Sequence, residues 1–352
     1  MGIKDINKFF KDKKLDFLKE ADASKFSGKR VAIDSYSIFI RLAARTHEKL
    51  ISGLKNPLDN YSPRLFFNNF MKYVLVEMMF FLKNGISIIF VFEGEKDPDK
   101  QDCLEERREK RNILRDKILV AEEEYLVCIN NPLEYGNPDE YEKKLKKLRA
   151  QDFFFDKNWI PEIRQTFERI GIPCVTAQYD SEFLCCNLIL EGKADSVYTT
   201  DTDCYAFGIN YMITEINTYA NKCMISDIDV MINFFSIEMD VDIDIAIKSL
   251  RDFCIMCGCD FNKRYPQIGP VKSFNLLKKY KRLFLITEKD FSCLKNEVCR
   301  DKFSYNPTGI SSDEVEMNWG KLVSNGYDVF SQFDSQELNY SLTLVENNVL
   351  RR

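Results

Sequence analysis

The sequence predicts an α/β protein built on a buried parallel sheet, and three observations carry that reading. Continuous apolar runs recur along the chain: Val31-Ala32-Ile33, Ile88-Ile89-Phe90-Val91-Phe92, Val175-Thr176-Ala177, Val197-Tyr198-Thr199-Thr200 and Phe253-Cys254-Ile255-Met256-Cys257. Runs that are β-branched and aromatic, without polar alternation, suit strands covered on both faces. Helical patterns alternate with these runs. Nearly every run also ends at a carboxylate: Asp34, Glu93, Asp180 with Glu182, Asp201 with Asp203, and Asp260. Side chains at the carboxyl ends of parallel strands converge on one cleft. Seven acids in one cleft repel each other, and burying them unpaired costs several kcal/mol each. Bound cations relieve that cost, and an all-oxygen donor set favours magnesium or manganese. The pattern points to a two-metal site acting on phosphate.

The elements follow in order. Phe66 to Asn84 reads as a helix, with Asn84-Gly85 as its C-terminal turn, feeding a strand from Ile86 to Phe92. From Glu95 to Ala150 the composition turns to Lys, Arg and Glu, with Pro132, Gly136 and Pro138 midway. This segment reads as two charged helices joined by a loop. It has too little apolar surface for a core of its own, so it is expected to project as a mobile arch or lid. The α/β pattern resumes with a helix at Trp159–Arg169, a strand at Pro173–Ala177 and a helix at Ser181–Glu191. After Asp260 comes Tyr265-Pro266-Gln267-Ile268-Gly269-Pro270, then a basic helix through Tyr280. A turn ending in Gly-Pro before such a helix is a phosphate clamp in outline, because backbone N–H groups and the helix dipole both attract anions. From Leu283 onward the chain is helical in parts, with 306–314 loop-like. The expected divisions are 1–94, 95–152, 153–262 and 263–352.

Composition narrows the function classes. A chain of 352 residues with 45% apolar content buries a large core as one big domain or two coupled lobes. Residues 1–5 carry no apolar secretion signal, and the apolar stretch Tyr73–Leu82 is too short to span a bilayer and contains Glu77, so no membrane partner is expected. Twelve cysteines then read as free thiols of a reducing, intracellular compartment. Cys254, Cys257 and Cys259 outline a zinc half-site, but no second pair follows and His47 is the single histidine, so they read as buried structural thiols. The net charge of −5 hides local basic runs: Lys263, Arg264, Lys272, Lys278, Lys279, Lys281 and Arg282 without an intervening acid, and Lys143, Lys144, Lys146, Lys147 and Arg149 likewise. Local patches rather than the total attract phosphate; either run alone also fits a solvated helix face.

In this order the motifs resemble those of the XPG-type flap-endonuclease family. The matching stretches are Met1-Gly2-Ile3-Lys4, Val31-Ala32-Ile33-Asp34, Phe90-Val91-Phe92-Glu93-Gly94, Gly171-Ile172-Pro173 with Asp180-Ser181-Glu182, Thr200-Asp201-Thr202-Asp203-Cys204 with Phe207-Gly208, and Gly258-Cys259-Asp260 with Ile268-Gly269-Pro270. The resemblance implies a central, mainly parallel sheet with helices on both faces, a helical arch, and a C-terminal helix–two-turn–helix DNA-binding element. It implies metal-dependent cleavage of 5′-flapped or branched duplex DNA at single-strand to double-strand junctions, in replication, repair or recombination. Two magnesium ions, replaceable by manganese, would be held by Asp34, Glu93, Asp180, Glu182, Asp201, Asp203 and Asp260. Lys100 and Arg107 would be the catalytic cations of the arch, seven residues apart and so on one helix face. Arg111 would support them. Gly2, Phe39, Arg45 and Gly258 fall near DNA-touching positions, the alignment at Phe39 and Arg45 requiring a one-residue gap. Gly269 and Lys272 would grip one duplex backbone, with a monovalent cation held at the turn.

The chain departs from the family pattern at four places. Glu93 stands for an aspartate and Asp180 for a glutamate, a lengthening and a shortening that offset each other if both flank one ion. Glu77 stands where an arginine would touch the unbroken strand, and Gln267 replaces the first glycine of the turn. No sliding-clamp motif is seen towards Asn347–Arg352, and a monomer at a nuclear, viral or cytoplasmic replication site is expected. Two other readings compete: a junction-binding scaffold without catalysis, and a sugar-nucleotide transferase using Asp201-Thr202-Asp203. The resemblance leaves flap cleavage and processive 5′→3′ exonuclease action open.

Overall fold

The computed structural model describes residues 2–333 and 336–349. Met1 of the opening motif and residues 350–352 of the C-terminal tail lie outside them. Seven strands form one sheet: β1 Leu18–Asp22, β2 Arg30–Asp34, β3 Ser87–Phe92, β4 Cys174–Thr176, β5 Ser196–Tyr198, β6 Tyr211–Asn217 and β7 Lys222–Asp227, in the order β1-β7-β6-β5-β2-β3-β4. The pairs β2–β3, β2–β5, β3–β4 and β5–β6 are parallel. At the β1 end, β6–β7 and β1–β7 are antiparallel. Successive side chains on a strand point to opposite faces. Val31 and Ile33 of β2 accordingly join Ile88 and Phe90 of β3 in one core, while Ala32, Ile89 and Val91 enter the other. Helices pack against both cores, as the sequence predicts.

The helix before β3 begins earlier than its apolar stretch suggests. Ser62 caps it through Leu65 N–H at 3.2 Å, and it runs Pro63–Lys83. Its 21 residues are long and apolar enough to cross a membrane, yet 67% of its most apolar window is buried inside the protein. Glu77 points inward, where Arg41 donates to both carboxylate oxygens at 2.9 and 2.7 Å and Tyr198 donates at 2.8 Å. It is a buried structural acid and does not face a DNA surface.

One expectation fails outright. Phe253–Cys257 is the last part of a helix, Ile243–Cys257, and not a strand. Asp242 caps that helix by accepting from Ile245 N–H at 2.8 Å, and Ala246, Leu250, Phe253, Cys254 and Cys257 lie on its buried side. A five-residue apolar run carries too little periodicity to separate helix from strand. The helix ends at Gly258, whose carbonyl accepts from Lys4 N–H at 3.1 Å.

The charged insert forms one long helix, Gln101–Asn130, and a return helix, Pro138–Arg149. It has a small core after all: Ile118, Ala121 and Leu145, with Leu58, Leu114, Tyr125 and Leu148 packed around them. The return helix is fastened at its far end. Lys146 Nζ donates to Leu54 O at 2.6 Å, Arg149 donates to the carbonyls of Pro57 and Asp59, and His47 Nε2 meets Arg149 O at 2.9 Å. Two cations of this basic run therefore serve as anchors.

Candidate active site

The carboxyl ends of β2, β3, β4 and β5 open on one cavity of about 60 Å³, lined by Asp34, Glu93, Asp180, Glu182, Asp201 and Asp260 together with Tyr36, Ser37, Lys96, Asp97, Lys100, Leu104 and Arg107. Each acid arrives by local backbone logic. Asp34 ends β2 and caps the next helix, accepting from Ser37 N–H at 3.3 Å. Its two oxygens also accept from Ser181 Oγ at 2.6 Å and Thr199 Oγ1 at 2.5 Å. Asp180 is the N-cap residue of the helix Ser181–Leu190, which places Glu182 in its first turn. Asp201 accepts from Asp203 N–H at 3.0 Å at the start of a short 3₁₀ turn, and Asp203 lies fully buried beneath the cavity. Asp260 comes from the turn after Gly258.

Two glycines make this closeness possible. A Cβ on Gly94 would meet Ala177 O at 2.1 Å, because Gly94 N–H and Glu95 N–H donate to Tyr179 O and Gln178 O where the arch leaves the sheet. A Cβ on Gly2 would meet Asp201 Oδ1 at 2.2 Å, and its φ of 88° favours glycine as well. The chain's first described residue is thus packed against an acid of the cleft.

Cations from the arch enter the cluster. Lys100 Nζ lies 2.8 Å from Asp180 Oδ1, 3.5 Å from Asp260 Oδ2 and 3.7 Å from Glu182 Oε1. Arg107 Nη2 reaches both oxygens of Asp260 at 3.0 and 2.8 Å, and Lys157 Nζ lies 3.1 Å from Glu93 Oε2. Burial pushes Asp34 up to about 6 and also raises Asp180, Glu182, Asp201 and Asp203 above the ordinary carboxylate range. For Asp260 the upward push of burial is outweighed by Lys100 and Arg107, which hold it below that range. Lys100 is kept charged in the same way, burial being outweighed by Glu182, Asp180 and Asp260. Among the described residues, no three of these acids are arranged as a ready ion cage. Yet Asp180 Oδ2 and both oxygens of Asp203 are buried without a hydrogen-bond partner. Orphaned buried carboxylate oxygens beside other acids are the donor set a hard divalent cation takes.

The other expected contacts divide. Arg45 is exposed over the Tyr73 ring at 4.9 Å, Arg111 lies 5.5 Å from the Phe154 ring, and Lys272 is exposed with Nζ 3.1 Å from Gln267 O. Gly269 is the N-cap residue of the helix Pro270–Tyr280, with open space where a Cβ would stand. Phe39 is a correction: it is 1% exposed, enclosed by Phe70, Phe90, Phe92 and Phe155, and cannot meet DNA. The aromatic ring at the cavity is Tyr36, three residues earlier, under the Lys157 ammonium at 5.5 Å. Sequence reasoning passed over Tyr36, Lys157 and Cys103, whose Sγ lies 3.5 Å from Asp260 Oδ1. The one-residue gap near Phe39 marks the motif match as loose there and does not by itself lead three residues back to Tyr36.

Comparison with known proteins agrees with the motif order. The XPG N-terminal domain family matches residues 1–113 and the XPG I-region family matches residues 171–260. The chain belongs to the XPG-type flap-endonuclease family. It is 26% identical over 337 residues to a flap endonuclease 1 of Plasmodium knowlesi, covering 91% of this chain and 53% of that protein, so it spans about half the length of that relative. With flap endonuclease 1 of Leishmania infantum it shares 28% identity, covering 91% and 77%. The catalytic core of Rad2 in complex with DNA substrate superposes with a TM-score of 0.62 at 16% identity, over 98% of this chain and 99% of that one. Flap endonuclease-1 from Methanococcus jannaschii gives 0.57 at 14% identity, over 95% and 98%, which shows the shared fold.

Proposed function

We propose that this chain is a divalent-metal-dependent, structure-specific 5′ nuclease that hydrolyses DNA phosphodiester bonds at 5′ flaps and single-strand to double-strand junctions. The observation that carries this reading is the acid cavity with orphaned carboxylate oxygens, entered by two cations of an arch. Family membership supports it, as do relatives named flap endonuclease 1 and a Rad2 core bound to DNA substrate. Asp34, Glu93, Asp180, Glu182, Asp201, Asp203 and Asp260 would hold two magnesium or manganese ions. Such ions supply an activated water and neutralise charge on the phosphate and leaving oxygen.

The chain's own groups do the rest. Lys100 stands in for a cation among Asp180, Glu182 and Asp260, and is free to turn to a phosphate once those acids have other partners. Arg107, on the helix Gln101–Asn130 that follows the turn carrying Lys100, offers a planar fork to the same phosphate. Tyr36, which lines the cavity, would present its ring to a base at the mouth. Arg45, Arg111, Gly258, Gly269 and Lys272 would contact the DNA backbone, Gly269 and Lys272 at the turn where a monovalent cation would also sit. A nuclear, viral or cytoplasmic replication site fits the twelve free thiols, and the chain would act there as a monomer. The sugar-nucleotide reading of Asp201-Thr202-Asp203 has no support from the family assignment.

The test is a 5′-labelled flap duplex with magnesium. Cleavage near the junction is expected, while Asp203→Ala is expected to bind the flap and leave it intact. Binding by the wild-type chain without cleavage would point to the scaffold instead, and product lengths on flap, nicked and blunt substrates separate endonuclease from exonuclease action.

A further inference from the structure

Lys100 is carried by a short 3₁₀ turn, Pro98–Lys100, at the foot of the arch. That turn is built on Asp97, which caps it by accepting from Asp99 N–H at 2.9 Å, while Lys100 N–H donates to Asp97 O at 3.2 Å. The Asp97 side chain is fully buried, so its charge needs a partner. The partner lies 205 residues away: Lys302 Nζ donates to Asp97 Oδ2 at 2.6 Å and stands 3.0 Å from Asp99 Oδ2. Lys302 ends the helix Asn296–Lys302, outside both segments that match the family.

The surroundings tie the two lysines together. The Lys302 ammonium lies over Tyr179 at 5.1 Å and Phe261 at 5.6 Å, the neighbours of Asp180 and Asp260. The Lys100 ammonium lies over the same Phe261 ring at 5.0 Å and over Phe183 at 5.6 Å. Phe183, Phe261 and Phe303 pack edge-on or tilted at centroid distances of 5.7 to 6.1 Å. One aromatic wall is therefore shared by both cations, with Phe303 directly following Lys302 in the chain. Cation–aromatic contact of this kind adds to the carboxylate pairing of each ammonium.

We propose that Lys302 is a positioning residue for Lys100. By neutralising Asp97 and Asp99 it holds the first turn of the arch at the one place from which the Lys100 ammonium reaches the acid cavity. This rests on Lys100 acting at the scissile phosphate as proposed above. Displacement of a catalytic group by about 1 Å can cost on the order of a hundredfold in rate.

The experiment is a double-mutant cycle on the full chain with the labelled 5′ flap, read as single-turnover rate and as flap affinity. Lys302→Met is expected to slow cleavage by about 10- to 100-fold with affinity changed less than about twofold, and to speed backbone amide exchange at residues 97–103 in the metal-free, DNA-free protein. In a Lys100→Ala background the same substitution is expected to change the rate by less than about twofold, because the group it positions is gone. Asp97→Asn keeps the turn's cap and removes the partner charge, and is expected to reproduce the Lys302→Met effect; it carries the test if Lys302→Met does not fold. An equal rate loss in both backgrounds, or unchanged exchange at 97–103, would overturn the assignment. A Lys100→Ala protein cutting at the wild-type rate would overturn it from the other side, by removing the role of Lys100 itself.

Discussion

The foot of the arch and the helix–two-turn–helix segment are both basic in sequence, and the fold uses their charges in opposite ways. At the arch foot, Lys100 and Arg107 are aimed at the acid cavity. In the segment from Lys263 to Arg282, most cations already have a protein partner: Lys263 pairs with Glu106, Arg264 with Asp5, Lys278 with Glu238 and Lys279 with Glu288. Arg282 is further committed, donating at 2.7 Å to Asp252, a fully buried carboxylate that also accepts from Arg300 at 2.9 Å and from Leu283 N–H at 2.9 Å. A run of like charges in sequence thus says where cations are, and not which of them are free to meet phosphate. Lys272 and Lys281 are bonded to the main-chain carbonyls of Gln267 and Met239 rather than to a carboxylate, and of the two Lys272 is the exposed one.

Seven substitutions, in four groups, break or sharpen this contrast. The largest effect is expected at Asp252→Ala, which strands two guanidinium groups; breaking a buried pair of this kind costs about 3–5 kcal/mol, measurable by denaturant unfolding with flap affinity compared at low temperature. A loss under 1 kcal/mol would return Arg282 to the DNA-facing surface. Next, Lys100→Ala and Arg107→Ala are each expected to raise the cleavage barrier by about 2–4 kcal/mol, as other electrostatic catalytic groups do, with little change in affinity. If affinity alone fell, the arch cations would be anchors like those of the clamp. Third, Lys272→Ala is expected to weaken binding to all flap sequences alike and flatten the salt slope by about one unit. Lys278→Ala and Lys279→Ala are expected to do less, since their ammonium groups are shared with Glu238 and Glu288. The smallest effect is at Gln267, which sits at φ 62°, a conformation that costs a non-glycine residue roughly 1 kcal/mol. Gln267→Gly is expected to raise stability by about that amount; no gain would mean the turn relaxes around the glutamine.

The parallel centre of the sheet was legible because buried strands leave uninterrupted apolar runs, and Asp34, Glu93, Asp180 and Asp201 were found by the ends of those runs. Asp260 was found for a mistaken reason, since its run is helical. The strands β1, β6 and β7 went unread: Leu18–Asp22 and Lys222–Asp227 mix charge into short antiparallel segments, where one face is wet and the apolar signal is diluted. Phe39 shows the limit of motif transfer, because Tyr36, one turn earlier on the same helix, lines the cavity while Phe39 is sealed in the core. The counterions were least legible of all. Asp252 for Arg282, Asp97 for Lys302 and Glu77 for Arg41 are paired by the fold across long stretches of chain, and nothing local announces them.

The fastening of the return helix has a consequence for how this protein tolerates change. At that end the arch grips by Lys146 and Arg149, while His47 of the helix Ser35–Ser52 bonds back to Arg149 O, and most of what the arch grips in the 54–60 segment is main-chain carbonyl: Leu54, Pro57 and Asp59. Every residue type carries a carbonyl, so, apart from Leu58 in the arch's core and Asn60, whose Oδ1 accepts from Arg149, the side chains of the gripped segment are largely exchangeable while those of the gripping helix are not. The joint is a lock whose key is specific and whose keyhole is generic, and mutational scans across 54–60 and 146–149 should come out correspondingly lopsided.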